Sequence, residues 1–173
     1  MNAVQKVYHV LQTLGPRWVV YRIGYALRRK SGLLRRATAA TPWKHVPAPE
    51  LHLRLSAVAR PLSARGVTAC MKEAEAVLHG EFRLFSHRVV AAGFPPDWHR
   101  NQLTGERAPG DRHWTELGNF AFGDIKCVWE LSRFPWAFVL ARAYSRTKDQ
   151  RYAEAFWQLF DDWCQGNPPN LGP

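Results

Sequence analysis

Apolar residues at intervals of three and four are clearest in the stretch 134–163. Phe134, Phe138, Ala141 and Tyr144 or Ser145 recur at this spacing, and after Thr147-Lys148-Asp149 so do Tyr152, Phe156, Leu159 or Phe160, and Trp163. Two helices joined by a short turn are predicted, an αα-hairpin. Asp149 stands where it can cap the second helix, and Gly166 with Pro168-Pro169 stops it. Pro135 lacks a backbone N–H, so it either kinks the first helix or marks its restart.

Upstream the pattern is more broken. Val4, Val7, Tyr8 and Leu11 repeat at helical spacing, as do Val19, Ile23 and Ala26 with Tyr21 and Tyr25, on either side of Gly15-Pro16. This predicts a pair of short helices. Residues 38–66 carry Pro42, Pro47, Pro49 and Pro61 and read as an extended connector. A helix is expected from Val67 to Leu78, ended by Gly80, and Glu81 to Ser86 alternates polar with apolar residues as a strand does. Gly93 to Asp97 is a turn. From Trp98 a polar loop runs through Pro109-Gly110 to His113-Trp114, long enough to be either functional or dependent on its neighbours.

Charge changes this picture at one end. Of 24 Lys and Arg, nine fall in residues 1–49, which contain none of the 14 Asp and Glu. The formal charge of +10 therefore belongs to the arm, and the remainder is nearly neutral with 15 bases against 14 acids. Such an arm is attracted to anionic lipid, nucleic acid or acidic polysaccharide. It carries no recognised nucleic-acid motif, so nucleic acid is not expected as a partner. Either its helices pack on the body with their arginines in water, or residues 1–37 meet an anionic membrane surface. A mitochondrial presequence is a third reading, disfavoured by Trp18 and Tyr21. No signal peptide or membrane-spanning stretch is recognised, which points to a cytoplasmic or membrane-peripheral place. Cys70, Cys127 and Cys164 show no paired spacing, so they read as buried or half-buried thiols, with no metal and no cofactor expected. Eight Trp residues suit a core or a groove where indole stacks on sugar.

The string Gly123-Asp-Ile-Lys-Cys-Val-Trp-Glu-Leu-Ser-Arg133 resembles the segment that opens the helical domain of heparinase II/III-like polysaccharide lyases. Leu140-Ala-Arg-Ala-Tyr144 and Asn167-Pro-Pro-Asn-Leu-Gly172 extend the likeness in the same order, and the upstream region is a looser match. Cys127 stands where a larger aromatic is expected. The resemblance implies a mainly α fold: an incomplete (α/α) toroid, of which only the first helical hairpins are expected here, preceded by the basic arm and a short β-containing connector. The corresponding division is 1–49 for arm and linker, 50–110 for the connector, and 111–173 for the start of the toroid. A large antiparallel β-sheet domain follows in the family, and its absence makes this chain an expected N-terminal fragment.

The implied activity is cleavage beside a uronic acid by β-elimination, with acidic polysaccharide as partner, in a bacterial envelope or exopolysaccharide setting. That reaction needs an amide or cation at the carboxylate, a base at C5 and an acid at the leaving oxygen. The family supplies Asn, Tyr and His. No His occurs from Gly123 onward, and Tyr144 and Tyr152 fit apolar helix faces, so the catalytic residues are expected beyond Pro173 and the fragment is expected to be inactive.

Substrate contact is what this segment could offer. Lys126, Glu130 and Arg133 lie at i, i+4 and i+7 with Trp129 beside them, hence on one helix face. Arg133 can hold a uronate or sulfate through two parallel hydrogen bonds, and Trp129 can stack on a sugar ring. Otherwise the three charges form a supporting ion-pair stripe and Trp129 belongs to the core. Asp124 reads as a helix cap; His113 and Trp114 on the polar loop are candidate rim contacts, although a lone loop His is usually only solvated. The competing functions are a noncatalytic acidic-polysaccharide-binding or scaffold module and a membrane-surface protein led by the basic arm.

Overall fold

The computed structural model describes residues 3–44 and 63–173. They form two compact units, Met1–Ala40 and Thr41–Pro173. Among the described residues the chain is mainly α, with one small two-stranded sheet. Most of the connector expected over 38–66, including the arm boundary at 49, lies outside the described residues.

The first unit holds α1 (Ala3–Lys30) and α2 (Leu33–Ala37). As the Gly15-Pro16 break predicts, α1 is two helical pieces: Gly15 adopts φ 79, ψ 163, a conformation open essentially to glycine.

The second unit begins with α3 (Ala64–Leu78), which starts three residues earlier than the apolar spacing alone suggests. Ser63 is the reason, because its hydroxyl accepts the Gly66 N–H and caps the first turn. Gly80 follows at φ 77, and a Cβ there would lie 2.7 Å from the backbone of Gly93. The antiparallel hairpin of β1 (Glu81–Leu84) and β2 (Arg88–Ala91) comes next, with Phe82 opposite Val90 and Leu84 opposite Arg88. β1 buries Phe82 and Leu84 and exposes Glu81 and Arg83. It ends before the predicted Ser86, because Phe85 and Ser86 turn at positive φ.

After the long loop, α4 (Ile125–Ser132), α5 (Pro135–Thr147) and α6 (Gln150–Gly166) complete the unit. Asp124 caps α4 and Asp149 caps α6, each accepting the N–H two residues on. Pro135 is a restart rather than a kink: it opens α5 at a position where no N–H is needed. Phe134 before it sits at φ 58, a costly conformation for an aromatic residue. Its ring is held edge-on by Trp136 at 5.2 Å and by Trp163 at 5.0 Å.

The core joins α3, β1, the Trp98 loop and the hairpin α5–α6, with Val77, Phe82, Leu84, Trp98, Trp136, Leu140 and Leu159 at its centre. Truncating a fully buried leucine such as Leu140 to alanine costs about 2–5 kcal/mol. Tyr152, Leu159 and the half-buried Phe156, Phe160 and Trp163 lie inward or at the margin on α6, in keeping with its pattern. The face of α5 is a correction. Trp136, Leu140 and Ala143 are buried, whereas Phe138 is 67% exposed and Ala141 is exposed too. α5 carries two apolar stripes, and α3 and α6 cover the one that periodicity had not singled out.

Candidate functional site

The four residues singled out at α4 divide between its outer side and its inner edge. Ile125, Val128 and Leu131 point into the protein, which leaves Lys126, Trp129 and Arg133 on the outer side. Trp129 is 39% exposed, so it is a surface ring rather than a core one. Glu130 is turned inward between two partners. One carboxylate oxygen accepts the Phe85 N–H at 2.9 Å, which ties the β-hairpin turn to α4. The other meets the Arg133 guanidinium at 2.9 Å. Lys126 makes no ion pair among the described residues, so the charged stripe is a Glu130–Arg133 pair with a separate lysine. The face thus presents an indole flanked by two cations, one of them steered by a carboxylate.

A second, concave site has formed from the polar loop. Asp97 organises it: one carboxylate oxygen accepts the His99 N–H at 3.1 Å and the other accepts the Arg107 Nε–H at 2.8 Å. The excursion between them closes as a narrow antiparallel turn, with Asn101 N–H donating to Glu106 O and Ala108 N–H to His99 O. Asn101 is fully buried, and it uses both ends of its amide. Its Oδ1 accepts from Leu103 and Thr104 N–H, and its Nδ2 donates to Phe122 O. Gly123, φ 70, is needed against it, because a Cβ there would lie 2.5 Å from Asn101 Nδ2.

His99 is buried against two glycines. A Cβ on Gly110 would fall 2.2 Å from its ring and one on Gly172 3.3 Å. Its Nε2 lies 3.1 Å from Asn167 Oδ1, while Asn167 Nδ2 donates to Trp163 O. With the amide so oriented, Nε2 is the donor and carries the proton. Trp98 lies beneath, its indole N–H 3.4 Å from Asp162 Oδ2 and its ring tilted on Trp136 at 6.1 Å.

Between this loop and the end of α6 opens a cleft of about 670 Å³, lined by Asp97, Trp98, His99, Arg107, Asp111 and Asp162 among others. Its size falls in the range of small-ligand sites. None of the four α4 residues lines it. The sequence signal for the cleft was the unusual length of the polar loop; the pairing of His99 with Asn167, 68 positions apart, had none. His113, expected to be solvated, is buried and accepts the Thr115 N–H, capping the 3₁₀ turn Trp114–Glu116.

Tyr152 lies inside the hairpin and donates its hydroxyl to Glu75. Burial and the neighbouring Glu75 carboxylate push its pKa up to about 12, so at neutral pH it is a protonated structural phenol. Cys70, Cys127 and Cys164 are half-buried free thiols whose pKa values are raised, first of all by burial. Among the described residues no cluster of His, Cys, Asp or Glu could hold a metal ion, and no helix is long and apolar enough to cross a membrane.

Fold and surface together define a helical-hairpin unit that carries a polar, tryptophan-floored cleft and a separate cationic aromatic face. The model of the heparinase II/III N-terminus matches residues 61–172, and the chain belongs to that family. No curated protein and no solved structure matches it.

Proposed function

We propose that this chain supplies the N-terminal helical part of a heparinase II/III-type polysaccharide lyase, and that this part holds an acidic polymer rather than cleaving it. The full enzyme would act by β-elimination next to a uronic acid. The observation that carries the reading is the outward set of Lys126 and Trp129 on α4 with Arg133 at its C-terminal cap, in a chain of this family. An anionic sugar ring offers a carboxylate for the cations and an apolar face for the indole. Glu130 is then a positioning residue, since its carboxylate fixes the Arg133 guanidinium.

The state of Tyr152 supports a noncatalytic role for that residue: its phenol is buried and engaged with Glu75. The outer stripe of α5 and α6 supports the toroid reading. Trp157, 60% exposed, lines an apolar groove of about 260 Å³ along Ala141, Tyr144, Ala153 and Phe156, and Phe138 on α5 is 67% exposed. A further hairpin of a toroid would cover such a face, since each hairpin in a stacked array leaves one for its neighbour.

Titration of the chain with uronate-containing polymers, followed calorimetrically and by absorbance of unsaturated product, tests both parts. Binding without turnover is expected, with affinity reduced about tenfold by Trp129→Ala or Arg133→Ala. Turnover by these residues alone would overturn the noncatalytic assignment. Binding unchanged in both variants would move the contact to the Trp98 cleft. That cleft favours the second reading, a carbohydrate-binding module independent of any lyase, because it is a built concave site with its own indole floor.

A further inference from the structure

The half of α1 after Gly15 divides its residues by chemistry. Val19, Val20, Ile23, Ala26 and Leu27 stand at i, i+1, i+4, i+7 and i+8 and make one aliphatic stripe. Arg17, Arg22, Arg28 and Arg29 lie off the stripe, with Trp18, Tyr21 and Tyr25 among them. Arg22 is drawn over the rings of Trp18 and Tyr25, 5.7 and 5.4 Å from their centroids, which gathers charge and aromatic surface together. The stripe is open: Val20, Ile23 and Leu27 are 69%, 55% and 63% exposed. Leu33 on α2 and Leu14 before the break are exposed as well.

Scattered exposed aliphatics need no explanation, but a continuous helical stripe of them does. The helix before Gly15 has its own apolar spacing at Val4, Val7, Leu11 and Leu14. The φ 79, ψ 163 break at Gly15 ends its alignment with the half that follows.

We propose that residues 3–37 form an interfacial anchor that lies on an anionic phospholipid bilayer. The aliphatic stripe supplies apolar area for the acyl boundary, and the arginines supply contacts to phosphate and carboxylate headgroups. Charge complementarity selects this occupant. The first 49 residues hold nine Lys and Arg and no acid, so an anionic surface is attracted at every approach. A second copy of the same arm would be repelled. Nucleic acid would satisfy the cations but leave the aliphatic stripe in water. The anchor stands on the first unit alone and does not depend on the polysaccharide reading.

Flotation of the full chain with phosphatidylcholine vesicles, with and without about one third phosphatidylserine, tests the proposal. Capture is expected on the anionic vesicles and weakly on the neutral ones, falling several-fold as salt is raised from about 0.1 to 0.5 M. Ile23→Asp with Leu27→Asp is expected to reduce capture by about tenfold or more, with the thermal midpoint unchanged. Leu27→Ser, which adds no charge, should show a smaller loss in the same direction. Equal capture on neutral and anionic vesicles overturns the charge selection. Capture unaffected by all three substitutions overturns the anchor. Absent capture on the anionic vesicles overturns it too, and tight duplex nucleic-acid binding or a dimer that the aspartates dissociate would then identify the other occupant.

Discussion

The Tyr152 hydroxyl donates to the Glu75 carboxylate, joining α6 to α3 across 77 positions of the chain. Arg151 reaches the same carboxylate oxygen at 3.4 Å, so Glu75 keeps a partner when the phenol is removed. Tyr152→Phe is therefore expected to cost about 1 kcal/mol in urea unfolding at neutral pH, the net worth of a hydrogen bond. The pH dependence has a definite sign. The folded phenol titrates at about 12 against 10.0 for an ordinary tyrosine, so the folded state binds the proton more tightly. That stability is fully present below pH 10 and is lost as pH rises through 12. Unfolding midpoints measured across that window should fall in the wild type more steeply than in Tyr152→Phe.

Glu130 has two jobs that substitutions can separate. Glu130→Gln retains an acceptor for the Phe85 N–H and loses only the exposed ion pair with Arg133, so it should cost less than about 1 kcal/mol. Glu130→Ala loses both and leaves the Phe85 N–H without its acceptor, at about 2 kcal/mol. If Arg133 binds polymer in the orientation Glu130 gives it, both variants weaken polymer binding while only the alanine lowers stability appreciably. Chemical unfolding and calorimetric titration of the same two variants check this.

Gly110→Ala should displace His99. The added methyl falls 2.2 Å from the ring, far inside contact distance, and the ring cannot yield without leaving Asn167. A loss of about 1–3 kcal/mol is expected, as for overpacking elsewhere. The double variant Gly110→Ala with His99→Ala should be less destabilised than the two single losses added together. NMR of the His99 ring would report the displacement directly.

Asp149 caps α6 through the Arg151 N–H and also holds the Arg151 guanidinium. These hydrogen bonds with Arg151 lower its pKa below the ordinary carboxylate value. Its contribution is therefore present above the unfolded pKa and lost as pH falls through the lower folded value. Asp149→Ala should drop the thermal midpoint by a few degrees at neutral pH and by less in acid. Asp149→Asn, which keeps the cap, should recover most of the neutral-pH loss.

The sequence by itself determined the local elements. Pro and Gly positions, caps at Asp124 and Asp149, and the three-to-four spacing of α6 are properties of short segments, and each appears where those properties place it. The i, i+3 spacing likewise brought Glu130 and Arg133 together, while Lys126 stands apart from that pair. Local spacing could not choose between the two apolar stripes of α5, because Phe134, Phe138 and Ala141 repeat as well as Trp136, Leu140 and Ala143 do. Only packing against α3 and α6 decided which was buried. The same limit applies to the cleft. Asp97, His99 and Arg107 are near in sequence, but Asp162 and Asn167 reach them only because α6 ends beside the loop. Burial of Trp98 in the shared core fixes that approach, and no segment of the chain encodes it alone.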